Sequence, residues 1–149
     1  MKSYRSLLAV ILAMVTTFLV SCGSPTATKP PTYTPEKITQ IQKYAATVTD
    51  LREKMSQVET NIQNRDWVEV GSLIHGPLGE LRQKMSYITR DLLPQEQKKA
   101  REAAKDLFTR LESIDLASSD GNYQKAVESY RAAIKDFDAF LQLLPGQSE

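Results

Sequence analysis

The chain has 149 residues, with 19 Lys and Arg against 18 Asp and Glu, one cysteine and one histidine. That is enough for one domain around a single core, with no basic excess to mark a nucleic-acid partner. A lone cysteine excludes an internal disulfide, and a lone histidine excludes a histidine-rich metal site.

The first 21 residues read as a lipoprotein signal peptide. Lys2 and Arg5 form a positive start, Leu7 to Val20 an apolar run of fourteen residues, and Leu19-Val20-Ser21-Cys22 the cleavage context. Fourteen residues are short for a membrane span, which needs roughly twenty. The Cys22 thiol is the expected acceptor of a thioether-linked diacylglycerol, often joined by an amide-linked acyl chain, which supplies the two chains that stable attachment usually takes. An ordinary signal peptide or anchor with an incidental cysteine is the plainer alternative. Once residues 1–21 are removed, 17 bases face 18 acids, so the mature charge is about −1.

Residues 22–34 read as the lipidated cysteine and a flexible linker. Gly23 to Thr34 is rich in Pro, Thr and Ser and nearly free of aliphatic side chains, so it cannot bury enough surface to fold. Residues 35–149 then carry four amphipathic helices. The first, near 35–63, starts at Thr34-Pro35 and presents Ile38, Ile41, Ala45, Val48, Leu51, Met55, Val58 and Ile62 in steps of three and four. The second, near 66–92, carries Trp67, Val70, Leu73, Ile74, Leu78, Leu81, Met85, Ile88 and Leu92. Pro77 lacks a backbone donor, which predicts a break at 76–77.

Pro94 opens the third helix, near 94–116, with Ala100, Ala103, Ala104, Leu107, Phe108, Leu111 and Ile114 on its apolar face. Ser118 to Asn122 is a turn cluster. The fourth helix, near 122–144, carries Ala126, Val127, Tyr130, Ala133, Ile134, Phe137, Phe140, Leu141 and Leu144, and Pro145-Gly146 stops it. The fold class is all-α, and short later connections predict an up-down-up-down bundle.

The chemistry of an enzyme is missing. No Gly-rich phosphate loop follows a strand and no G-x-S-x-G elbow occurs. His75 is a weak metal candidate with Glu69 and Glu80 as neighbours; a solvent-facing or turn-capping role is the plainer reading. Tyr44, Trp67, Phe108, Tyr130, Phe137 and Phe140 lie on or near the apolar stripes and read as packing rather than a pigment or ligand box. No cofactor, catalytic residue or small-molecule substrate is expected.

One charge arrangement suggests docking. Lys98, Lys99, Arg101 and Lys105 crowd the first turns of the third helix, where the helix dipole disfavours cations. Antiparallel second and third helices would bring Arg82, Lys84 and Arg90 towards the same end. The alternatives are a solvated face balanced by Asp91, Glu96, Glu102 and Asp106, or a patch for an acidic protein surface or lipid headgroups.

Trp67 followed by Ile74-His75-Gly76-Pro77-Leu78-Gly79-Glu80-Leu81-Arg82, with Leu92-Leu93-Pro94, Leu107-Phe108, Ile114-Asp115 and Tyr130-x-x-Ala133 in order, resembles the PsbQ family of photosystem II extrinsic proteins. With the Cys22 context, it is similar to the cyanobacterial lipoprotein form of that family. The resemblance implies a bundle anchored to the thylakoid membrane on its lumenal side. There it would lie beside the inner antenna proteins and the other extrinsic subunits, stabilising the complex and helping the oxygen-evolving centre keep calcium and chloride. A rival reading is a generic periplasmic or outer-membrane lipoprotein adaptor. Ala117-x3-Gly121-x-Tyr123-x-x-Ala126-x3-Tyr130-x-x-Ala133 resembles a tetratricopeptide helix pair, but the first two helices do not restate that pattern.

Overall fold

In the computed structural model, residues 31–146 are described; Cys22, the signal segment and most of the linker lie outside them. The domain begins at Thr32. Its elements are α1 (Pro35–Asn64), α2 (Trp67–His75), a 3₁₀ turn (Pro77–Glu80), α3 (Leu81–Asp91), α4 (Pro94–Ser119) and α5 (Tyr123–Leu141). Taking α2, the 3₁₀ turn and α3 as one interrupted helix gives four helices, and no strand occurs among the described residues.

The start of α1 follows from its cap. The Thr34 hydroxyl accepts from the Lys37 amide at 3.3 Å, and Pro35 occupies a first-turn position whose N–H would have no helical partner. Backbone and Thr34 hydrogen bonds favour the charged form of Glu36 and lower its carboxyl pKa. Ile41, Ala45, Val48, Leu51, Met55, Val58 and Ile62 all turn inward. Arg65 ends the helix in the left-handed region, at φ 57°, and its guanidinium lies 5.3 Å from the Tyr123 ring centroid. Asp66 then caps α2 by accepting from the Glu69 amide at 3.3 Å.

The break in the second helix is a change of hydrogen-bond step. Gly76 still donates to Ser72 O at 2.9 Å, but Pro77 has no donor to continue the ladder, and Gly79 bonds back to Gly76 at 3.1 Å. The resulting 3₁₀ turn puts Leu78 into the core at 3 % exposure. The chain is extended at Leu92, itself fully buried, and again at Leu93, before Pro94 starts α4.

Two helix ends differ from the sequence expectation. The third helix runs to Ser119 rather than 116, because Ala117 and Ser118 are buried and the Ser118 hydroxyl donates to Ile114 O at 2.9 Å. The turn chemistry of Ser118 is thus satisfied inside the helix. The fourth stops at Leu141 rather than 144. There the amides of Leu143 and Leu144 bond three residues back, which tightens the chain and swings Leu144 into the core.

The third and fourth helices make the most extensive contact in the domain, and α1 packs on α3 and α5. Ala100, Ala104, Ala117, Ala126 and Ala133 are buried at small side-chain cost, with Phe137 and Phe140 fully enclosed. Polar links tie the helices at the rim of this core. Arg52 grips Asp138 with two bonds, 2.7 and 3.1 Å, which raise the guanidinium pKa by favouring its charged form, and Arg110 faces Asp136 at 3.5 Å.

Tyr33, which the sequence assigns to the linker, packs against the core. Its hydroxyl donates to Glu96 and accepts from the Leu93 amide at 3.2 Å, so the residue before α1 is tied to the turn that opens α4. Burial, followed by the Glu96 bond, pushes its pKa up to about 12; Tyr130 is pushed up to about 12 by burial and by Glu59, to which it donates at 3.3 Å. A tyrosine proton held more tightly in the folded state gives stability that is complete below the unfolded pKa near 10 and is lost as pH rises through about 12. The melting temperature should therefore fall between pH 9.5 and 12, and less steeply in a Tyr33→Phe, Tyr130→Phe variant. Parallel slopes for the two proteins would remove these hydroxyls from the account.

Candidate functional site

The clearest surface feature is a groove between α3 and α4. On α3 the buried set is Leu81, Met85, Ile88 and Thr89, which leaves Arg82, Ser86 and Arg90 at four-residue steps along one exposed edge. On α4, Ala100, Ala104, Leu107 and Leu111 turn inward and Arg101, Lys105 and Thr109 take the facing edge. Between these edges lies a slot of about 470 Å³, floored by Met85, Ala104 and Phe108. Ala104 is too small to fill the space, and Phe108, read from sequence as core, is only partly buried and lines the slot.

The guanidinium of Arg82 lies 4.3 Å from the Phe108 ring centroid and reaches Glu112 at 3.4 Å, closing one end. Arg90 lies over Tyr87 at 4.9 Å. Gln97 organises the other end: its amide nitrogen donates to the carbonyls of Arg90 and Leu92 at 3.3 and 3.0 Å, and its oxygen accepts from Arg101 at 3.4 Å. Among the described residues, Arg90, Arg101 and Lys105 have no carboxylate in ion-pair range.

Four of the seven cations singled out from sequence, Arg82, Arg90, Arg101 and Lys105, are thus brought together. They run along the groove rather than gathering at one end, because α3 and α4 lie side by side and their cations are spaced by helical turns. Lys98 and Lys99 are exposed outside it, Lys98 facing Glu102 at 3.9 Å, and Lys84 faces Glu80 at 3.9 Å. The slot's apolar floor was not legible from sequence, since Met85, Ala104 and Phe108 fit the same spacing as the fully enclosed residues. Nor was the Tyr33 clamp, for which a solitary aromatic in a polar stretch was the one available sign.

His75 is mostly exposed, and its Nε2 lies 3.0 Å from Asp115 Oδ1. The carboxylate beside it comes from α4, not from Glu69 or Glu80, the neighbours weighed for a weak metal site. Among the described residues, no three His, Cys, Asp or Glu side chains converge to hold a metal ion. The groups with displaced pKa values, Tyr33, Glu36, Arg52 and Tyr130, serve caps and interhelical links, and none lines the groove. Among the described residues, no helix is long and apolar enough to cross a membrane.

The described body is all-helical and carries a cationic slot between α3 and α4, with no converging metal ligands among the described residues. The family model for PsbQ, oxygen evolving enhancer protein 3, matches residues 2–145. CyanoQ from Synechocystis sp. is 45% identical over 149 residues, covering 99% of this chain and 100% of that protein. The chain belongs to the PsbQ family of structural photosystem II subunits.

Proposed function

We propose that this protein is a lipid-anchored extrinsic subunit on the lumenal side of photosystem II in the thylakoid membrane. It stabilises the assembled complex and supports calcium and chloride retention at the oxygen-evolving centre. The observation that carries this reading is the family match along residues 2–145. In this reading the four helices run up-down-up-down, as the short links at Arg65-Asp66, Leu92-Leu93 and Asp120 to Asn122 favour.

The anchor is the acylated Cys22, and its support is the chemistry of the sequence: a positive start, a short apolar run, and a small residue before the thiol. Tyr33, near the end of the proposed linker 22–34, is tied to the body by its bonds to Glu96 and Leu93. The partners are the inner antenna proteins and the other extrinsic subunits. The body acts by docking and shielding, and supplies no ligand to manganese itself.

The test is fractionation with function. The protein should co-purify with oxygen-evolving photosystem II particles, and its deletion should lower oxygen evolution most when calcium or chloride is withdrawn. Cys22→Ser should shift most of the protein from the membrane to the soluble fraction while leaving its helicity unchanged. Recovery in outer-membrane fractions, with none in the particles, would return the adaptor reading. A Cys22→Ser protein that stays fully membrane-bound would show that protein contacts, not lipid, hold it there.

A further inference from the structure

We infer that the α3–α4 groove seats an acidic segment of a partner protein, one that places an apolar residue between carboxylates. This deepens the docking function proposed above and rests on it. Three features of the slot specify the occupant. Its cations stand on both walls, Arg90 on α3 with Arg101 and Lys105 on α4, and no carboxylate of the chain neutralises them among the described residues. Holding like charges together carries a repulsion that an incoming anion relieves. The whole chain is close to neutral, so the attraction belongs to this slot and not to the molecule at large.

The second feature is the floor of Met85, Ala104 and Phe108, which gives an apolar side chain somewhere to lose water. The third is direction. Arg82 is already engaged by Glu112 and Phe108, so the free cations lie towards the end marked by Arg90 and Arg101. From Arg82 to Arg90 the helix advances roughly 12 Å. A slot of that length, walled on two sides, fits an extended or helical segment carrying carboxylates at intervals. A flat headgroup layer would meet the helix crests and leave the floor empty, so a protein segment is favoured over a lipid surface by shape as well as charge.

The experiment measures binding of the full-length protein to photosystem II particles stripped of their extrinsic subunits by salt washing. Arg90→Glu, Arg101→Glu, Lys105→Glu together should weaken binding about tenfold or more at low salt. Lys54→Glu, Lys99→Glu, Lys125→Glu makes the same charge change at exposed sites outside the slot and should alter it less than about twofold. Ser86→Trp fills the slot without changing charge and should also weaken binding several-fold. Unchanged helicity and melting certify each variant as folded.

Equal losses in both charge variants, or full binding by Ser86→Trp, overturn the inference while leaving the subunit role intact. A parallel assay uses vesicles of anionic phospholipid. If the groove variants lose the vesicles yet keep the particles, the slot is a membrane contact and the inference is again overturned. Failure of the unsubstituted protein to bind the particles would remove the inference and the subunit role together.

Discussion

Replacing Phe137 by alanine should destabilise the domain by about 3–5 kcal/mol, the largest single effect expected in this fold. Phe137 is fully enclosed on α5, and Arg52 from α1 lies 6.0 Å from its ring centroid. Truncation removes the ring's transfer free energy and leaves a cavity among helices that cannot all close on it. It also withdraws the surface that backs Arg52, whose grip on the neighbouring Asp138 joins the first and fourth helices. The melting temperature should fall by about 10–25 °C for a domain of this size. Val68, 78% exposed on α2, is the comparison: Val68→Ala should stay within about 0.5 kcal/mol. Thermal unfolding followed by circular dichroism reads both. A loss below about 1 kcal/mol for Phe137→Ala would mean that the core between α4 and α5 repacks far more freely than its alanine-lined contact allows.

Gly76→Ala should cost about 1–3 kcal/mol, and Gly79→Ala, three residues on, should be neutral or stabilise by about 0.4–1 kcal/mol. A Cβ on Gly76 would stand 2.6 Å from the Ser72 carbonyl oxygen, which is backbone and also accepts the Gly76 amide bond. The clash can be relieved only by opening the end of α2. A Cβ on Gly79 would meet nothing within 4 Å, so alanine there chiefly restricts the unfolded chain. The two glycines of Gly76-Pro77-Leu78-Gly79 thus have different physical reasons to be small. Gly76 should also affect docking, because the break it permits sets where α3 carries Arg82 and Arg90 against α4. Melting and particle binding measured on both variants check this: matched losses at the two positions would contradict the close approach at Gly76.

The helical stripes were written locally. Ile41 to Ile62 on α1 and Leu107 to Ile114 on α4 recur at three and four residues, and every buried residue of α1 lies on its predicted stripe. The break at Pro77 was equally local, since a residue without an N–H interrupts the ladder in any surroundings. The family could be read because Trp67 and the Gly76 to Gly79 stretch keep their order and spacing along the chain.

What periodicity could not decide was the fate of residues that satisfy two roles at once. Phe108 and Ala104 sit on the apolar stripe of α4, yet they floor an open slot, because α3 across from them offers Ser86 and Arg90 where a longer apolar side chain would close it. Arg82 and Arg90 line the slot with Arg101 and Lys105, while Lys98 and Lys99 lie outside it; Lys98 shares the face of Lys105 but sits two turns nearer the start of α4. Tyr33 had no local reason to fold, and its order comes from Glu96 and Leu93, some sixty residues away in sequence. The helices and their interruption were legible in the chain because each depends on neighbours within a turn or two, and the family because its motifs keep their order along the chain. The slot, the pairing of its cations and the clamp at the start of the domain were decided by tertiary packing, because their energies arise between side chains that meet only when the helices do.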